Sequence, residues 1–470
     1  MRIRTGLEPS LSADERHWCY CGIDSCVLPE IKANLASELT PQIEAIYLEE
    51  LAWQGPALTM SLRGMRVDAA AVSEALTDIR LNIGREERTL TKEAVEVGLG
   101  TATDKLARSP KQARELFYGA LGLPEHRNRD GTVSADKFVL ERLAKKYPEA
   151  VPFIERFRTI RFLSEQRKVL TRGISPDGRM RYSMNVGATE TIRWSATKNA
   201  FNEGGNIQNI MPSMRNIFIA DPGWVLFYAD LEQADSRGVA YLAGDEAYIR
   251  AHQEGNVHVW AARIFWPGLP WTGDEAKDKA LAKSTPLPWD PAHTYYDQAK
   301  RQQHGLNFAM SIPAGLALHA RISFKEAKEA GKLYFGAAPR IQIWHGEIAE
   351  EISKTSVLTT PLGFRREFFG NPWEKDTIKE AISFHPQSTT SHVLCRGLYR
   401  VWDELDPKHV RVLANEHDAI LGEVRIGEEA VLERVVELMR EEVPIRGRVM
   451  VIPTSVAVGH NWKEMEPWSS

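Results

Sequence analysis

Hydrophobic positions recur along this chain in two periods, and the changes between them outline the elements. Residues 31–100 carry Ala and Leu at helical spacing, most clearly in DAAAVSEALTDIRLNIGREERTLTKEAVEVG, with Gly98 placed as a stop. Ser109 before Pro110 predicts a capped helix start. Arg108 and Lys111 beside it could grip a phosphate, and a plain capped helix meets the same pattern. EHRNRDGTVSADK then reads as a polar, basic loop able to touch nucleic acid. From about 176 the texture turns to strands and loops. Trp224 to Tyr228 form an almost fully apolar run, the mark of a buried strand, and Asp230 emerges where it stops. LEQADSRGVAYLAGD reads as the helix that follows.

Between 245 and about 375 the pattern is mostly helical, broken at 266–297 by a Pro- and Trp-studded stretch that reads as an inserted surface loop. The C-terminal part is mixed: a helix around SFHPQSTTSHVLCRGLYRVWDEL, a hairpin in RVLANEHDAILGEV with His417 and Asp418 at its bend, a helix in EEAVLERVVELMREEV, and a final strand in RVMVIPTSVAVG. Helices segregated beside an antiparallel sheet predict an α+β chain.

At 470 residues the chain exceeds one ordinary domain, and about two to four lobes are expected. Hydrophobic residues make up 43% and charged residues 26%, and no apolar run approaches the ~20 residues of a membrane helix, which argues against a bilayer-spanning class. The start MRIRTGLEPSLSADERHW has no apolar h-region, and four cysteines in this length do not suggest a disulfide framework, so a reduced, cytoplasmic setting is expected. The net charge of -4 neither demands nor excludes nucleic acid, because a local basic groove releases counterions whatever the total. His17, Cys19, Cys21 and Cys26 crowd RHWCYCGIDSC, but C-x-C-x4-C lacks the paired spacing of common zinc sites, which favours buried structural cysteines.

Four patterns carry chemistry. Asp230 at a strand end and Asp418 at a hairpin bend could hold Mg²⁺, which takes one or two carboxylates plus substrate phosphates; turn aspartates also occur for purely local reasons. In KRQQHGLNFAMSI, Lys300, His304, Phe308 and Ile312 recur every four residues. On one helical face that order suits a triphosphate at one end and a base with its sugar at the other, and an ordinary amphipathic helix has the same spacing. TETIRWSATKNAFNEGGNIQNI offers Arg193, Gln208 and Asn209 as planar donors for reading a groove by shape.

These blocks, in this order, resemble the DNA polymerase I family, the family A DNA polymerases. TETIRWSATKNAFNEGGNIQNI is similar to the T-G-R-L-S-S…N-L-Q-N-I segment, DLEQADSRGVAYLAGD to motif A (D-Y-S-Q-I-E-L-R), KRQQHGLNFAMSI to motif B (R-x3-K-x3-F-x3-Y), EHDA to motif C (H-D-E), and VAVGHNWKEM to the V-G-x-N-W ending. Upstream, MSLRGMRVD and SPKQARELFYGALGLP look like the family's thumb, and Tyr20 with Asp24 fit the last piece of its 3′–5′ exonuclease. The resemblance implies a right-hand polymerase fold with a palm sheet, helical fingers and a helical thumb. Its divisions would be an exonuclease-like remnant at 1–30, thumb at 31–175, palm at 176–240 and 379–470, and fingers at 241–378. It further implies a template-directed polymerase that joins dNTPs to primer-template DNA using two Mg²⁺ ions, with Mn²⁺ able to substitute. Proofreading would be absent from this polypeptide, and a separate exonuclease or other replication proteins could be partners. An inactive primer-template clamp, a polymerase with relaxed sugar selectivity, and a single-subunit RNA polymerase are the competing readings; Phe308 and NIQNI favour the DNA branch.

Carried over by position, the resemblance makes Asp230 and Asp418 the metal ligands, with the backbone carbonyl of Leu231 a third. Lys300, Arg301 and His304 would neutralise the triphosphate, with His258 near the phosphates and Phe308 on the sugar. Gln233, Asp235 and Arg237 would lie near the sugar and primer, and Arg193, Gln387 and His417 on the template-primer. Four positions depart from the family. His304 replaces its Lys, so nucleotide affinity is expected to fall from pH 6.5 to 8.5 and His304→Lys to flatten the trend. Asp235 and Ile312 replace the Glu and Tyr of the sugar pocket, which predicts relaxed exclusion of ribonucleotides. Ala419 replaces the Glu of motif C; Glu423 is expected to be a solvated strand residue, with Glu232 or Glu416 the candidates for supplying negative charge instead.

Overall fold

The apolar run ending at Asp230 is the centre of a five-stranded antiparallel sheet. In the computed structural model, which describes residues 12–36, 39–100, 102–128 and 131–469, the central strand is Trp224–Leu231. Ala419–Arg425 and then Val410–Glu416 lie on one side of it, and Thr454–Gly459 and then Glu466–Pro467 on the other. A strand flanked on both edges and covered on both faces must be apolar throughout, and Leu226, Phe227, Ala229 and Leu231 are fully buried. Gly422 sits across from Phe227, where a Cβ would come within 2.3 Å of the ring, so only glycine fits.

The hairpin read around His417 and Asp418 forms as two seven-residue strands joined by those two residues. His417 takes φ +57, the left-handed first position that a tight two-residue turn demands. One register irregularity near Leu413 is covered by the Tyr182 hydroxyl, which donates to the Leu413 carbonyl.

Helices pack around this sheet. Lys375–Glu404 runs thirty residues with Pro386 inside it, and crosses Ala234–Ala243 at Gly238, where an added Cβ would meet Pro386 at 3.2 Å. On the N-terminal side, Ala69–Glu96, capped by Asp68, pairs with Val151–Thr171, and Arg156 ties them through Glu86 and Glu93 at 2.7 and 2.8 Å. Ser109 does cap the helix that starts at Pro110, but Arg108 is committed to Glu87. Beyond the sheet, Val257–Phe265, Tyr295–Asn307, Phe324–Ala337 and Pro339–Thr355 form a helical lobe. Asn307 locks that lobe from within: its amide donates to the Tyr248 hydroxyl at 2.9 Å and its carbonyl oxygen accepts from Tyr334 at 2.6 Å.

Several expectations are corrected. The stretch 266–297 is no loop: it holds a ten-residue helix, Glu275–Ser284, and a small hairpin of Pro286–Leu287 with Asp290–Thr294. Cys19, Cys21 and Cys26 are exposed on the helix Ala13–Ala36 rather than buried, and no group of three metal-ligating side chains occurs among the described residues. Glu423 is wholly buried, because its face of the sheet is covered by Arg411 and Asp221; its carboxylate accepts from the Asp221 amide at 2.8 Å. The final strand divides, Arg448–Met450 pairing with Val443–Ile445 and only Thr454–Gly459 joining the main sheet. Residues 1–11 of the exonuclease-like remnant and 129–130 of the basic loop lie outside the described residues. Among the described residues no helix is long and apolar enough to cross a membrane.

Candidate active site

A cleft of about 730 Å³ opens at the end of the central strand, between the sheet and the helical lobe. Its sheet wall is acidic. Asp230, Glu232, Asp235 and Asp418 all line it. Asp230 and Asp418 come together because the Leu231 amide donates to the Asp418 carbonyl at 3.0 Å, extending the strand ladder to the hairpin turn. Burial, followed by the charges of Asp418, Glu416 and Glu232, pushes the Asp230 carboxyl up to about 7 against the pull of Lys300. Burial and the nearby Asp235 also raise Asp418. Crowded carboxylates of this kind repel one another unless a cation joins them, so the donor set fits a divalent metal. Leu231, whose carbonyl the resemblance adds to that set, lines the same cleft.

The position opposite Asp230 is Ala419, and Glu416 stands across from Ala419 in the next strand, so the three share one face of the sheet. Glu416 is buried and bonded to Arg215 and to the Tyr228 hydroxyl. Of the two carboxylates considered as substitutes for the missing Glu, Glu232 therefore faces the cleft, while Glu416 lies beneath it with its charge already paired.

The opposite wall comes from the helix Tyr295–Asn307, whose start is fixed by a reciprocal cap between Thr294 and Asp297. Lys300 and His304 face the cleft from it, with Phe308 at its C-terminal cap. The His304 and Phe308 rings lie 4.6 Å apart. Although the edge of His304 meets solvent, desolvation within the cleft, with His319 and Lys300 adding to it, holds its imidazole below the ordinary value despite Asp235. His258, on Val257–Phe265, shares a 2.6 Å hydrogen bond with Gln303, and burial drives its pKa down to about 4, with Lys300 and His304 reinforcing the effect. In both imidazoles the cleft favours the neutral form.

Ile312 is not on this face. The helix ends at Asn307, Ala309 takes φ +50, and the fourth member of the expected stripe is carried away to pack on Gly331, where an added Cβ would lie 2.7 Å from its Cδ1. Arg301 turns aside as well, its guanidinium 2.6 Å from the His293 ring nitrogen. Gln233, at φ +53, lines the cleft and accepts from the Val257 amide at 3.3 Å. Arg237 is buried and donates to the His252 carbonyl at 3.1 Å.

Of the residues expected on nucleic acid, Arg193 pairs with Asp235 at 3.2 Å on the cleft rim, and His417 is exposed at the hairpin tip. Asn209 is exposed, and Gln387 is half-buried in the long helix beside Pro386. Gln208 is turned inward: its amide donates to the Trp194 and Asn415 carbonyls at 3.2 and 3.0 Å and its oxygen accepts from the Ala196 amide at 3.1 Å. Its planar donors set the position of the hairpin and face no groove.

Sequence reasoning missed Lys279, Lys283, Asn256, Tyr296, Gln303 and Asn307, all of which line the cleft. For the two lysines a signal existed: DEAKDKALAK, with an N-cap aspartate and strong helix formers, places Lys279 and Lys283 four residues apart on one face.

A family model described as DNA polymerase family A matches residues 73–464. The thermostable DNA polymerase I of Thermus aquaticus is 25% identical over 424 residues, 86% of this chain and 46% of that protein. The DNA polymerase I of Chloroflexus aurantiacus is 25% identical over 463 residues, 92% of this chain and 45% of its own length. The chain therefore spans a little under half the length of these relatives. Among solved structures, the POL domain of Pol1 from M. smegmatis in complex with DNA primer-template and dNTP superimposes with a TM-score of 0.66 at 22% identity, covering 88% of this chain and 70% of that one, a likeness of fold.

Proposed function

The chain belongs to DNA polymerase family A, and on that premise we propose that it extends the 3′-hydroxyl of a primer with dNTPs selected by a template strand. The observation that carries the proposal is the opposition, across one cleft, of the Asp230 and Asp418 carboxylates and the cationic end of the Tyr295–Asn307 helix. Asp230 and Asp418, with the Leu231 carbonyl, would hold two Mg²⁺ ions, or Mn²⁺ in their place, which when bound neutralise the attacking and leaving oxygens of phosphoryl transfer. The chain's own groups do the rest. Lys300 meets the triphosphate, Phe308 backs the sugar, and His258 faces the phosphates with its Nδ1–H given to the Gln303 oxygen. The primer 3′-oxygen bonds to the α-phosphorus as the bond to pyrophosphate breaks. Arg193, Gln387 and His417 hold the primer-template alongside. The proposal assigns polymerisation, and no nuclease step, to these 470 residues.

Primer extension with Mg²⁺, run beside Asp418→Asn, tests this reading. Extension by the wild type with a loss of about 10²-fold or more in the variant supports it. No extension by the wild type, with primer-template still bound, would leave a clamp that holds DNA without copying it.

A further inference from the structure

The helix Glu275–Ser284 lies in the segment 266–297, outside every motif that the family resemblance uses, yet it is firmly built into the cleft. Asp278 is wholly buried and gathers the Arg263 guanidinium at 2.5 Å, the Thr272 amide and hydroxyl at 2.8 Å each, and the Gly273 amide at 3.2 Å. Glu275 accepts from the Asn256 amide at 2.7 Å and rests on Gly255, where an added Cβ would lie 2.9 Å from its carboxylate. Held at these points, the helix turns Lys279 and Lys283 into the cleft, the latter 5.0 Å from the Tyr296 ring centroid.

Charge shows what they are for. The sheet wall carries four carboxylates, and the facing wall needs cations to receive a polyanion between them. The cleft-lining ammonium groups are Lys279, Lys283 and Lys300, while burial holds the imidazoles of His258 and His304 below their ordinary pKa. Two of the three therefore come from this helix. Among the described residues neither Lys279 nor Lys283 has an ion-pair partner, whereas the nearby Arg263 is consumed by Asp278 and Glu275. A lysine left unpaired at a cleft wall is a compact point charge free to meet phosphate oxygens.

We propose that Lys279 and Lys283 form a second triphosphate-binding arm, gripping the β- and γ-phosphates of the incoming nucleotide. This rests on the polymerase reading of the cleft. The pair would act on nucleotide capture rather than on the template-primer.

The test is Lys279→Ala/Lys283→Ala in the full chain, with Lys277→Ala, exposed on the same helix and outside the cleft lining, as control. The double variant is expected to raise KM for dNTP about tenfold, more than it lowers kcat, with primer-template Kd and melting temperature held, and Lys279→Arg/Lys283→Arg restoring KM. An unchanged KM, an equal rise in the control, or weakened primer-template binding with KM intact overturns the proposal while the polymerase reading stands. If the wild type extends no primer, that reading fails instead, and titration with inorganic tripolyphosphate still decides the lysines. Binding by the wild type weakened about tenfold in the double variant supports the arm, and equal binding by both, or none by the wild type, refutes it.

Discussion

Ala419 stands directly opposite Asp230 in the antiparallel ladder, its methyl wholly buried on the face from which the carboxylate emerges. A Glu side chain here would add a further carboxylate to a site that already raises Asp230, with Glu416 and its Arg215 partner just beyond. Ala419→Glu should therefore lower stability in EDTA by about 1–3 kcal/mol, part of which Mg²⁺ restores, and should reduce the Mg²⁺ needed for half-maximal extension. Thermal melts with and without Mg²⁺, beside a metal titration of primer extension, check both halves.

Asp230 itself predicts how metal-free stability depends on pH. Its folded-state carboxyl titrates near 7 against an ordinary 3.8, so between those values the native state holds a proton that the unfolded chain has lost. The stabilisation is fully present below 3.8 and disappears as pH rises through about 7. In EDTA, the stability gained by Asp230→Asn over the wild type should grow by roughly 2–4 kcal/mol between pH 4 and 8. Urea midpoints at the two pH values measure it, and a constant difference would contradict the burial argument.

From its ordinary pKa, His304 is expected to lose charge between pH 6.5 and 8.5. Because the cleft lowers its pKa, the change moves to the acid side: KM for dNTP should rise as pH climbs towards 6.5 and level off above it. His304→Lys supplies a charge at every pH and should lower KM at pH 8 by about three- to tenfold, and by less as the pH falls. Steady-state extension across that range is the measurement.

On the polymerase reading, Ile312, which replaces the Tyr of the family's sugar pocket, does not close that pocket. Ile312 packs on Gly331, and Asp235 is held by Arg193 at 3.2 Å. A pocket without a group that meets the added hydroxyl discriminates by only about 10²-fold, so the ratio of kcat/KM for matched deoxy- and ribonucleotides should not exceed that order. A ratio near 10⁴ would mean that another side chain blocks the 2′ position.

What was legible in the sequence was what short-range patterns control. Trp224 to Tyr228 could only be a buried strand, and His417-Asp418 between alternating residues could only be a turn, so the acidic wall was placed correctly on the sheet. The errors came from competing signals. Pro and Trp on both flanks of 266–297 outweighed the helix formers of DEAKDKALAK, and hid two lysines of the cleft. The four-residue stripe in the sequence runs on to Ile312, but the chain leaves the helix at Asn307, whose side chain is bonded to Tyr248 and Tyr334. Alternation implies a wet face for Glu423, but that face is covered by Arg411 and Asp221.

The Gln208 amide spends all its hydrogen bonds fastening the loop that follows Arg193 to the strand that leads to Asp418. The rim that bears Arg193 and the turn that bears Asp418 are in consequence one jaw. On the polymerase reading, a closing stroke across the cleft would fall to the other jaw, the Tyr295–Asn307 helix, which is flanked by the positive φ of Ala309 and by the short hairpin that ends at Thr294.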